Sequence, residues 1–479
     1  MPAEPVAPPA VTDDDPGGRT VRRLVTVVAL AAVLPALYLP GRVHDFFDLK
    51  IYMRAMRWWA DGNPLYDYVQ PDRVQGELYF TYPPFSGLLL RPFALIPLGA
   101  TVTVFTVLTG VAVVVTTWWL VRPLADRHGL PRVFTVTVAV LLVLAVESTR
   151  ETITFGQINM FLVVLILADL LFAVPGSRRW AGVGVGLATA LKLFPGIFIV
   201  YLLASRRWWA AAVASATAAA ATLLAAAVAP GDSWRFWTHE LWATDRVGRT
   251  DYTGNQSLFG LLSRITAPEK PDRLLWLALV AVVAAYGLWR AAVAARAGDH
   301  LAGLTLTGLV GGLVSPITWT HHLYWFIPAV VVLADAALGA RRPAVAVPPA
   351  TGTSAGATPA GVASAGVAGA AGPGSRAGSP AGDDGTSTLD SVARRRWFAV
   401  LAVATTAVII YGVVTFHDWG VAPVRTQTPD QFLVRNTYVL LSLLLLAALP
   451  VRRPASPAPT TRPPAAPREK LHQMDRGPE

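Results

Sequence analysis

Apolar segments long enough to cross a membrane recur along most of this chain, separated by short loops rich in arginine. The first runs from Leu24 to Pro40 and the last from Phe432 to Pro450. Only 15% of the 479 residues are charged, against roughly 25% in an average globular protein. In lipid, helices satisfy their own backbone hydrogen bonds. We therefore predict an all-α, polytopic integral membrane protein with about ten to twelve transmembrane helices.

Clustered arginines give the chain its net charge of +10. They occupy the loop 122–132 and the pairs Arg178/Arg179 and Arg206/Arg207. The positive-inside rule places these clusters, and both termini, in the cytoplasm, and it explains the charge without a nucleic-acid partner. Cysteine is absent, which excludes disulfides, thiolate catalysis and cysteine metal sites.

Composition divides the chain into five parts. They are a disordered cytoplasmic tail at 1–20, a membrane core at 21–342, a disordered cytoplasmic linker at 343–393, membrane helices at 394–453 and a disordered tail at 454–479. The linker is rich in Ala, Gly and Pro. Such a composition cannot bury a core, so we expect the linker to be dispensable.

Residues 41–84 form the first long polar interval after an apolar segment. Asp45 and Asp48 come directly after that segment, and apolar residues then recur at three-and-four spacing from Ile51 to Trp59. This period predicts an amphipathic helix lying on the outer membrane surface. Carboxylates at a membrane surface are costly unless they are solvated, paired or used. The interval is therefore the predicted reaction centre.

Asp48 is a candidate general base, because a carboxylate that is ionised at pH 7 can take a proton from a substrate hydroxyl. The alternative is a solvated loop acid, and that alternative is stronger for Asp45.

Lys192 is one of four lysines against 36 arginines and lies within an apolar segment interrupted by LKLFPG. The interruption predicts two short helices with Lys192 near the apex of their hairpin. A lysine there can bind a phosphate near the membrane surface or simply extend to the lipid headgroups.

Other polar residues have two readings as well. Gln157 and Asn159 suit sugar hydroxyls at a helix start or hydrogen bonds between helices. His321 and His322 adjoin an apolar run, and adjacent helical residues point about 100° apart, so a shared metal is not favoured. A pocket role and a packing role stay open for the histidines, and no comparable metal-ligand spacing occurs.

Seven separated motifs make the chain similar to glycosyltransferase family 87 over about residues 24–340. They are DLKIY (48–52), GNPLY (62–66), YPP (82–84), FGQIN (155–159), LKLFP (191–195), NQSL (255–258) and SPITWTHH (315–322). Thr320 departs from the family pattern, since members often carry an acid there.

The resemblance implies a GT-C fold with its active site on the outer face. It implies a polyprenol-phosphate-mannose-dependent α-(1→2)-mannosyltransferase that inverts at the sugar and acts on an actinobacterial cell-envelope glycolipid or lipoglycan. Asp48 is then the catalytic base, and the candidates for the donor phosphate are Lys192, Arg249 and Arg264. The candidate substrate-binding residues are Asp45, Tyr52, Tyr82, Gln157, Asn159, Asn255, Gln256, His321 and His322.

The lipid-linked donor takes the place of a cofactor, no metal site is predicted, and a divalent-ion requirement stays open. Membrane lipids are expected partners. A lipid or sugar transporter or flippase is the alternative, but it should carry inverted repeats, and no repeat is found. A structural membrane protein would not need acids concentrated at one face.

Overall fold

The computed structural model describes residues 44–72, 76–243, 246, 248–339, 384–416 and 425–451, with five isolated positions between residues 18 and 27. These residues are mainly helical, with one short strand pair, so the predicted all-α class is confirmed. The predicted span at 24–40, most of the linker and both tails lie largely outside the described residues.

The first half of the described chain contains nine α-helices. They are α1 Phe47–Ala60, α2 Pro84–Leu90, α3 Leu98–His128, α4 Arg132–Ala145, α5 Glu147–Phe155, α6 Asn159–Ala168, α7 Val183–Leu191, α8 Ile197–Ala204 and α9 Trp208–Val228. The helices of the second half are α10 Pro230–Thr238, α11 Leu258–Thr266, α12 Arg273–Arg296, α13 His300–Val314, α14 Phe326–Leu338, α15 Asp384–Tyr411, α16 Pro429–Arg435 and α17 Thr437–Ala448.

Among the described residues, three helices are long and apolar enough to cross a membrane: α3, α9 and α12. The count reaches five if the bent pairs α4–α5 and α16–α17 each form one span. Shorter apolar helices of 10–17 residues begin at Asn159, Phe194, His300 and Phe326. These are shorter than the roughly 20 residues that a straight span needs. The chain is a multi-pass membrane protein, and the larger span number stays a prediction.

Helix α3, the longest helix of the described residues, starts beside α1 and ends in a basic turn. Its 31 residues extend about 46 Å. Leu98 at its start packs in the same apolar cluster as α1, whereas its last turn carries Arg127. Val107 and Val111, one turn apart, are 58% and 54% exposed. Such an apolar outer stripe suits contact with lipid.

Helix α1 has the predicted amphipathic period, but the protein itself covers its apolar face. Leu49, Met53 and Met56 are almost fully buried in a cluster that also contains Tyr66 and Phe80. The helix therefore packs against the protein, where the sequence predicted a helix resting on the membrane surface. Burial of several side chains, each worth about 1.5–3 kcal/mol, fixes its position.

The strand pair was not predicted. β1 (Val69–Asp72) and β2 (Gly76–Tyr79) pair antiparallel, with Val69 opposite Tyr79. The polar residues between the GNPLY and YPP motifs therefore form a hairpin that leads directly into Tyr82.

The predicted break at Lys192 is present. Helix α7 ends at Leu191, and Lys192 has an extended backbone (φ −152°, ψ 128°) before a short turn, Phe194–Gly196. The break places Lys192 between two helices, where its side chain can turn toward polar groups.

The predicted linker ends earlier than the sequence analysis placed it. Residues 384–393 form the start of helix α15, which runs to Tyr411. The segment is polar and carries no apolar stripe, so the sequence pattern did not indicate a helix there.

Candidate active site

A cavity of about 540 Å³ lies where α1, the strand pair and the loop after α13 meet. This volume falls within the range of roughly 300–1,000 Å³ that is usual for ligand pockets. Seven of the predicted site residues line it: Asp48, Tyr52, Tyr82, Gln157, Lys192, His321 and His322. Five separated sequence motifs thus meet in one place.

Asp48 is aimed into the cavity by the turn that starts α1. Asp45 and Phe46 both have positive φ values (50° and 52°), and Asp48 follows in the first helical turn. Gly156, with φ +70°, lets α1 approach the end of α5, because a side chain there would come within 2.6 Å of the Cβ of Leu49. The FGQIN glycine therefore holds Gln157 beside the DLKIY motif.

Gln157 connects Asp48 to a tyrosine pair. Its Nε2 donates a hydrogen bond to Asp48 Oδ2, and its Oε1 accepts one from Tyr82 Oη at 3.0 Å. Tyr52 Oη lies 2.6 Å from Tyr82 Oη. Burial raises the pKa of both tyrosines above the ordinary range, so both remain neutral hydroxyl donors.

Burial also raises the pKa of Asp48 to about 6, and it does so against the opposing effects of the Gln157 hydrogen bond and the charge of Lys192. An enclosed carboxylate with a pKa near neutrality is well matched to general-base work.

Lys192 reaches the same network from the helix break. Its Nζ lies 3.2 Å from Tyr82 Oη, 3.0 Å from Asn159 Oδ1 and 3.0 Å from His322 Nε2. Every one of these partners is neutral. Burial lowers the pKa of Lys192 to about 7, while the charge of Asp48 opposes that shift. The lysine can therefore carry a positive charge that no carboxylate of the described residues contacts directly.

The two histidines adjoin Lys192 in a short turn, Thr320–His322. Their rings are 4.6 Å apart and nearly perpendicular (87°). Both nitrogens of His321 are buried without a hydrogen-bond partner among the described residues. Burial and the charge of Lys192 hold the pKa of both rings well below the usual range. They are therefore neutral.

No group of three or more His, Asp or Glu side chains that could hold an ion occurs in the described part of the chain. Thr320, where the resembled family often has an acid, contacts the carboxylate of Glu151 from α5.

Six of the predicted site residues do not line the cavity. Asp45 is 79% exposed and ion-paired with Lys50, because the positive-φ turn directs it outward. Arg249 is paired with Asp251 at 2.8 Å. Asn159 is buried behind Lys192 and also donates to the carbonyl of His321 at 2.9 Å. Asn159 therefore orients cavity residues from outside the cavity.

The NQSL motif acts as a brace. Asn255 donates to the carbonyl of Pro316 (3.1 Å) and accepts from the amide of Thr318 (2.9 Å), so it holds the SPITWTHH loop in place. Gln256 donates to the carbonyl of Arg435 at 2.8 Å. Both side chains are buried and hydrogen-bonded within the protein, so the structure assigns them to support and not to substrate contact: Asn255 holds the loop, and Gln256 holds the backbone that joins the C-terminal helices.

Arg264 is likewise internal. Its side chain is fully buried and donates to the carbonyls of Tyr252 and Asn255 and to Asn436 Oδ1, at 2.6–3.1 Å. It joins α11 to the C-terminal helices and does not reach the cavity, so the predicted phosphate role is corrected.

Sequence reasoning missed the cavity residues contributed by the strand pair and by the segment after α10. Tyr79, Glu240 and Arg246 line the cavity, and the Arg246 guanidinium stacks over the Tyr79 ring at 3.9 Å. These residues have no periodicity and no motif spacing. The contact between Tyr79 and Arg246 joins positions far apart in the chain, and a single sequence contains no pattern that indicates it.

The chain is similar to several known proteins. The sequence profile of glycosyltransferase family 87 matches residues 80–316. A polyprenol-phosphate-mannose-dependent alpha-(1-2)-phosphatidylinositol mannoside mannosyltransferase of Mycobacterium tuberculosis is 35% identical over 340 residues, which is 68% of this chain and 77% of that protein. A corresponding phosphatidylinositol pentamannoside mannosyltransferase of Mycolicibacterium smegmatis is 31% identical over 345 residues, 70% of this chain and 80% of that protein.

Among solved structures, ArnT from Cupriavidus metallidurans bound to undecaprenyl phosphate aligns with 91% of this chain and 77% of its own. The identity is 18% and the TM-score 0.31.

The identity to the mannosyltransferase of Mycobacterium tuberculosis extends over more than two thirds of both proteins. The family profile covers the segment that carries YPP, FGQIN, LKLFP and NQSL. The family resemblance predicted from the motifs is therefore confirmed. This chain is a glycosyltransferase and belongs to glycosyltransferase family 87.

Proposed function

We propose that the chain transfers mannose from a polyprenyl phosphate mannose donor to a hydroxyl of a phosphatidylinositol mannoside or related envelope lipoglycan, forming an α-(1→2) linkage. One observation carries this proposal. Asp48 and Lys192 face the same enclosed cavity and are joined through Gln157 and Tyr82. The relatives' names supply the sugar and the linkage.

Asp48 is the general base of this reaction. The acceptor oxygen attacks the anomeric carbon of mannose, and its proton passes to the Asp48 carboxylate. The bond between that carbon and the phosphate oxygen breaks, and the polyprenyl phosphate leaves with the electron pair. Attack from the face opposite the phosphate inverts the configuration. A phosphate is already a good leaving group, so one carboxylate suffices where glycoside hydrolysis requires two.

Lys192 is the cation for the donor phosphate. Negative charge builds up on the leaving phosphate, and a charge-assisted contact stabilises it most in the transition state. The tyrosine hydroxyls and the neutral imidazoles supply further polar contacts around it. Tyr52, Tyr82, Gln157, His321 and His322 are the substrate contacts of this proposal, and Asn159 positions Lys192.

The cavity is proposed to open on the outer face of the membrane, with both termini in the cytoplasm. Helix α13 ends at Val314 beside the cavity residue Ser315, and α14 starts at Phe326 just after the cavity histidines. The far end of α14 leads to Arg341 and Arg342. The cavity thus lies at the end of α14 opposite Leu338, after which the sequence carries these arginines, and this placement supports an outer site by the positive-inside rule.

The test uses the full-length protein in lipid nanodiscs with radiolabelled polyprenyl phosphate mannose and phosphatidylinositol mannosides. Transfer to the lipid acceptor, with label released by an α-(1→2)-specific mannosidase, is the expected result, and Asp48→Asn should lower its rate by about 10²- to 10⁴-fold. A transfer rate of Asp48→Asn close to that of wild type would remove the base assignment. Donor translocation across vesicles without transfer would favour a flippase.

A further inference from the structure

A second set of charges lies on another side of the same cavity. Glu240 is almost fully enclosed, with a side chain only 4% exposed. Its Oε1 accepts from Arg235 Nε at 2.7 Å, and its Oε2 pairs with Arg246 Nε at 2.8 Å. Arg235 also pairs with Asp67. The network is held together by two arginines and two acids and is neutral overall.

Arg246 is fixed by this network in a defined orientation. Its guanidinium stacks on Tyr79 at 3.9 Å, and its Nη2 donates to the carbonyl of Tyr66 at 2.7 Å. The remaining nitrogen, Nη1, has no hydrogen bond within the described residues, and Arg246 lines the cavity. A planar guanidinium held in this way offers N–H donors of fixed direction.

The balance of charge indicates what this wall binds. Arg246 is matched by Glu240, and Asp72, which has an interaction partner of its own, also lines the cavity. A phosphate would meet no uncompensated positive charge here, whereas Lys192 contacts only neutral groups. A neutral ligand with many hydroxyls suits the wall, because its hydroxyls can both accept from the guanidinium and donate to the carboxylates.

The wall lies close to the reaction centre. Tyr79 and Tyr82 are three positions apart in the sequence, so their Cα atoms are at most about 11 Å apart. Tyr82 belongs to the hydrogen-bond network of Asp48 and Lys192. A sugar ring bonded to the one that receives mannose would reach this wall.

We propose that Arg246, held by Glu240 and stacked on Tyr79, binds the acceptor sugar adjacent to the one that is mannosylated. The enzyme then prefers acceptors with at least two sugar residues. This inference rests on the proposed mannosyl transfer and adds a subsite to it.

The test compares two synthetic acceptors that share one alkyl chain, a single α-mannoside and an α-dimannoside. Wild-type kcat/KM should be about tenfold or more higher for the dimannoside, since a hydrogen bond to a charged group has about that effect. Arg246→Met keeps the apolar stem and removes the guanidinium. The ratio of the dimannoside kcat/KM to the monomannoside kcat/KM should therefore fall close to one, while the monomannoside kcat/KM changes little. Arg54→Met is the matched control, because Arg54 bonds Gln70 of β1 without lining the cavity.

The outcomes separate the subsite from the reaction itself. An equal wild-type rate for both acceptors, or an unchanged ratio in Arg246→Met, overturns the subsite alone. If Arg246→Met loses activity toward both acceptors, Arg246→Lys is measured instead, because it keeps a cation beside Glu240. A reduced ratio of dimannoside to monomannoside kcat/KM in Arg246→Lys supports the subsite, and a wild-type ratio overturns it. A wild-type enzyme that transfers mannose to phosphatidylinositol mannosides but to neither synthetic acceptor overturns the subsite alone, and one that transfers mannose to none of these acceptors overturns the proposed function as well.

Discussion

The two walls of the cavity differ in the partners of their ionisable groups. On the wall formed by Asp48 and Lys192, each ionisable group is hydrogen-bonded to neutral partners. On the wall formed by Glu240 and Arg246, each charge is matched by an opposite one within 2.8 Å. One wall of the cavity can therefore interact with a charge that the substrate brings, whereas the charges of the other wall are already paired within the protein.

The difference has an energetic meaning. Burying a charge without a partner costs several kcal/mol in a protein, and the pKa values of Asp48 and Lys192 move toward neutrality for this reason. A substrate that brings a proton to Asp48 or a phosphate to Lys192 offsets that cost. The paired wall gains nothing from added charge, so its contribution is shape and hydrogen-bond direction.

The largest effect should come from Asp48. Asp48→Asn keeps the hydrogen-bond geometry near Gln157 but removes the base, so kcat should fall by about 10²- to 10⁴-fold. Asp45→Asn is the matched control, because Asp45 is exposed and outside the cavity. Transfer rates of both purified variants in nanodiscs decide the matter. Equal losses of transfer rate in both variants would mean that the substitutions disturb the folding of the α1 turn. A fully active Asp48→Asn would contradict the assignment of Asp48 as the base on the reactive wall.

Lys192→Met should come next. It removes the charge and keeps most of the apolar stem, and kcat should fall by about 10²-fold if the lysine acts on the leaving phosphate. A rise in donor KM alone would mean that it binds donor and transition state equally. Lys192→Arg should restore activity only in part, because the planar head needs a wider pocket. Unchanged kcat and KM in Lys192→Met would indicate that the lysine only extends to the headgroups.

The pH dependence sharpens the contrast. Asp48 must be ionised, so activity should fall as pH drops through about 6, and Lys192 must be protonated, so it should also fall as pH rises through about 7. The two apparent values belong to the coupled pair. In Lys192→Met the alkaline limb should disappear, and the acid limb should move to higher pH because the cation that lowers the Asp48 pKa is gone. A kcat/KM profile of Lys192→Met that matches wild type would break the assignment.

The sequence predicted the reactive wall better than the paired one. Asp48, Gln157 and Lys192 stand out because a polar residue next to apolar runs is rare and costly in a membrane protein. Glu240 and Arg246 lie in an ordinary polar segment, and only the fold brings them to Tyr79. Their pairing depends on long-range packing, which a single sequence does not reveal.

Other residues were predicted as substrate contacts from their type, although they support the fold. Asn255, Gln256 and Arg264 stand out by type, and their buried bonds to backbone carbonyls appear only in three dimensions. Polar residues near a site are needed both to bind ligand and to satisfy buried backbone, and residue type does not separate the two. The early helical start of α15 was missed because its first turns carry no apolar stripe.

The smallest effect is expected far from both walls, at residues 343–383. Helix α14 starts beside the cavity histidines and runs 13 residues to Leu338, so it ends about 20 Å away from them. There Gly339 adjoins the side chain of Arg395 in α15, because a Cβ on Gly339 would come within 2.3 Å of that guanidinium. The two helices therefore already meet near the ends of this segment.

Shortening 343–383 to about fifteen residues leaves a chain that can span roughly 50 Å. Arg395 lies 11 residues after Asp384, about 16 Å along α15, so the shortened segment still reaches from Gly339 to the start of that helix. Transfer rates and the ratio between the two acceptors should both stay within about twofold of wild type, a change of less than half a kcal/mol. A loss of transfer at normal membrane levels would mean that chemistry at the cavity depends on the opposite end of the molecule, and the two walls would no longer account for activity on their own.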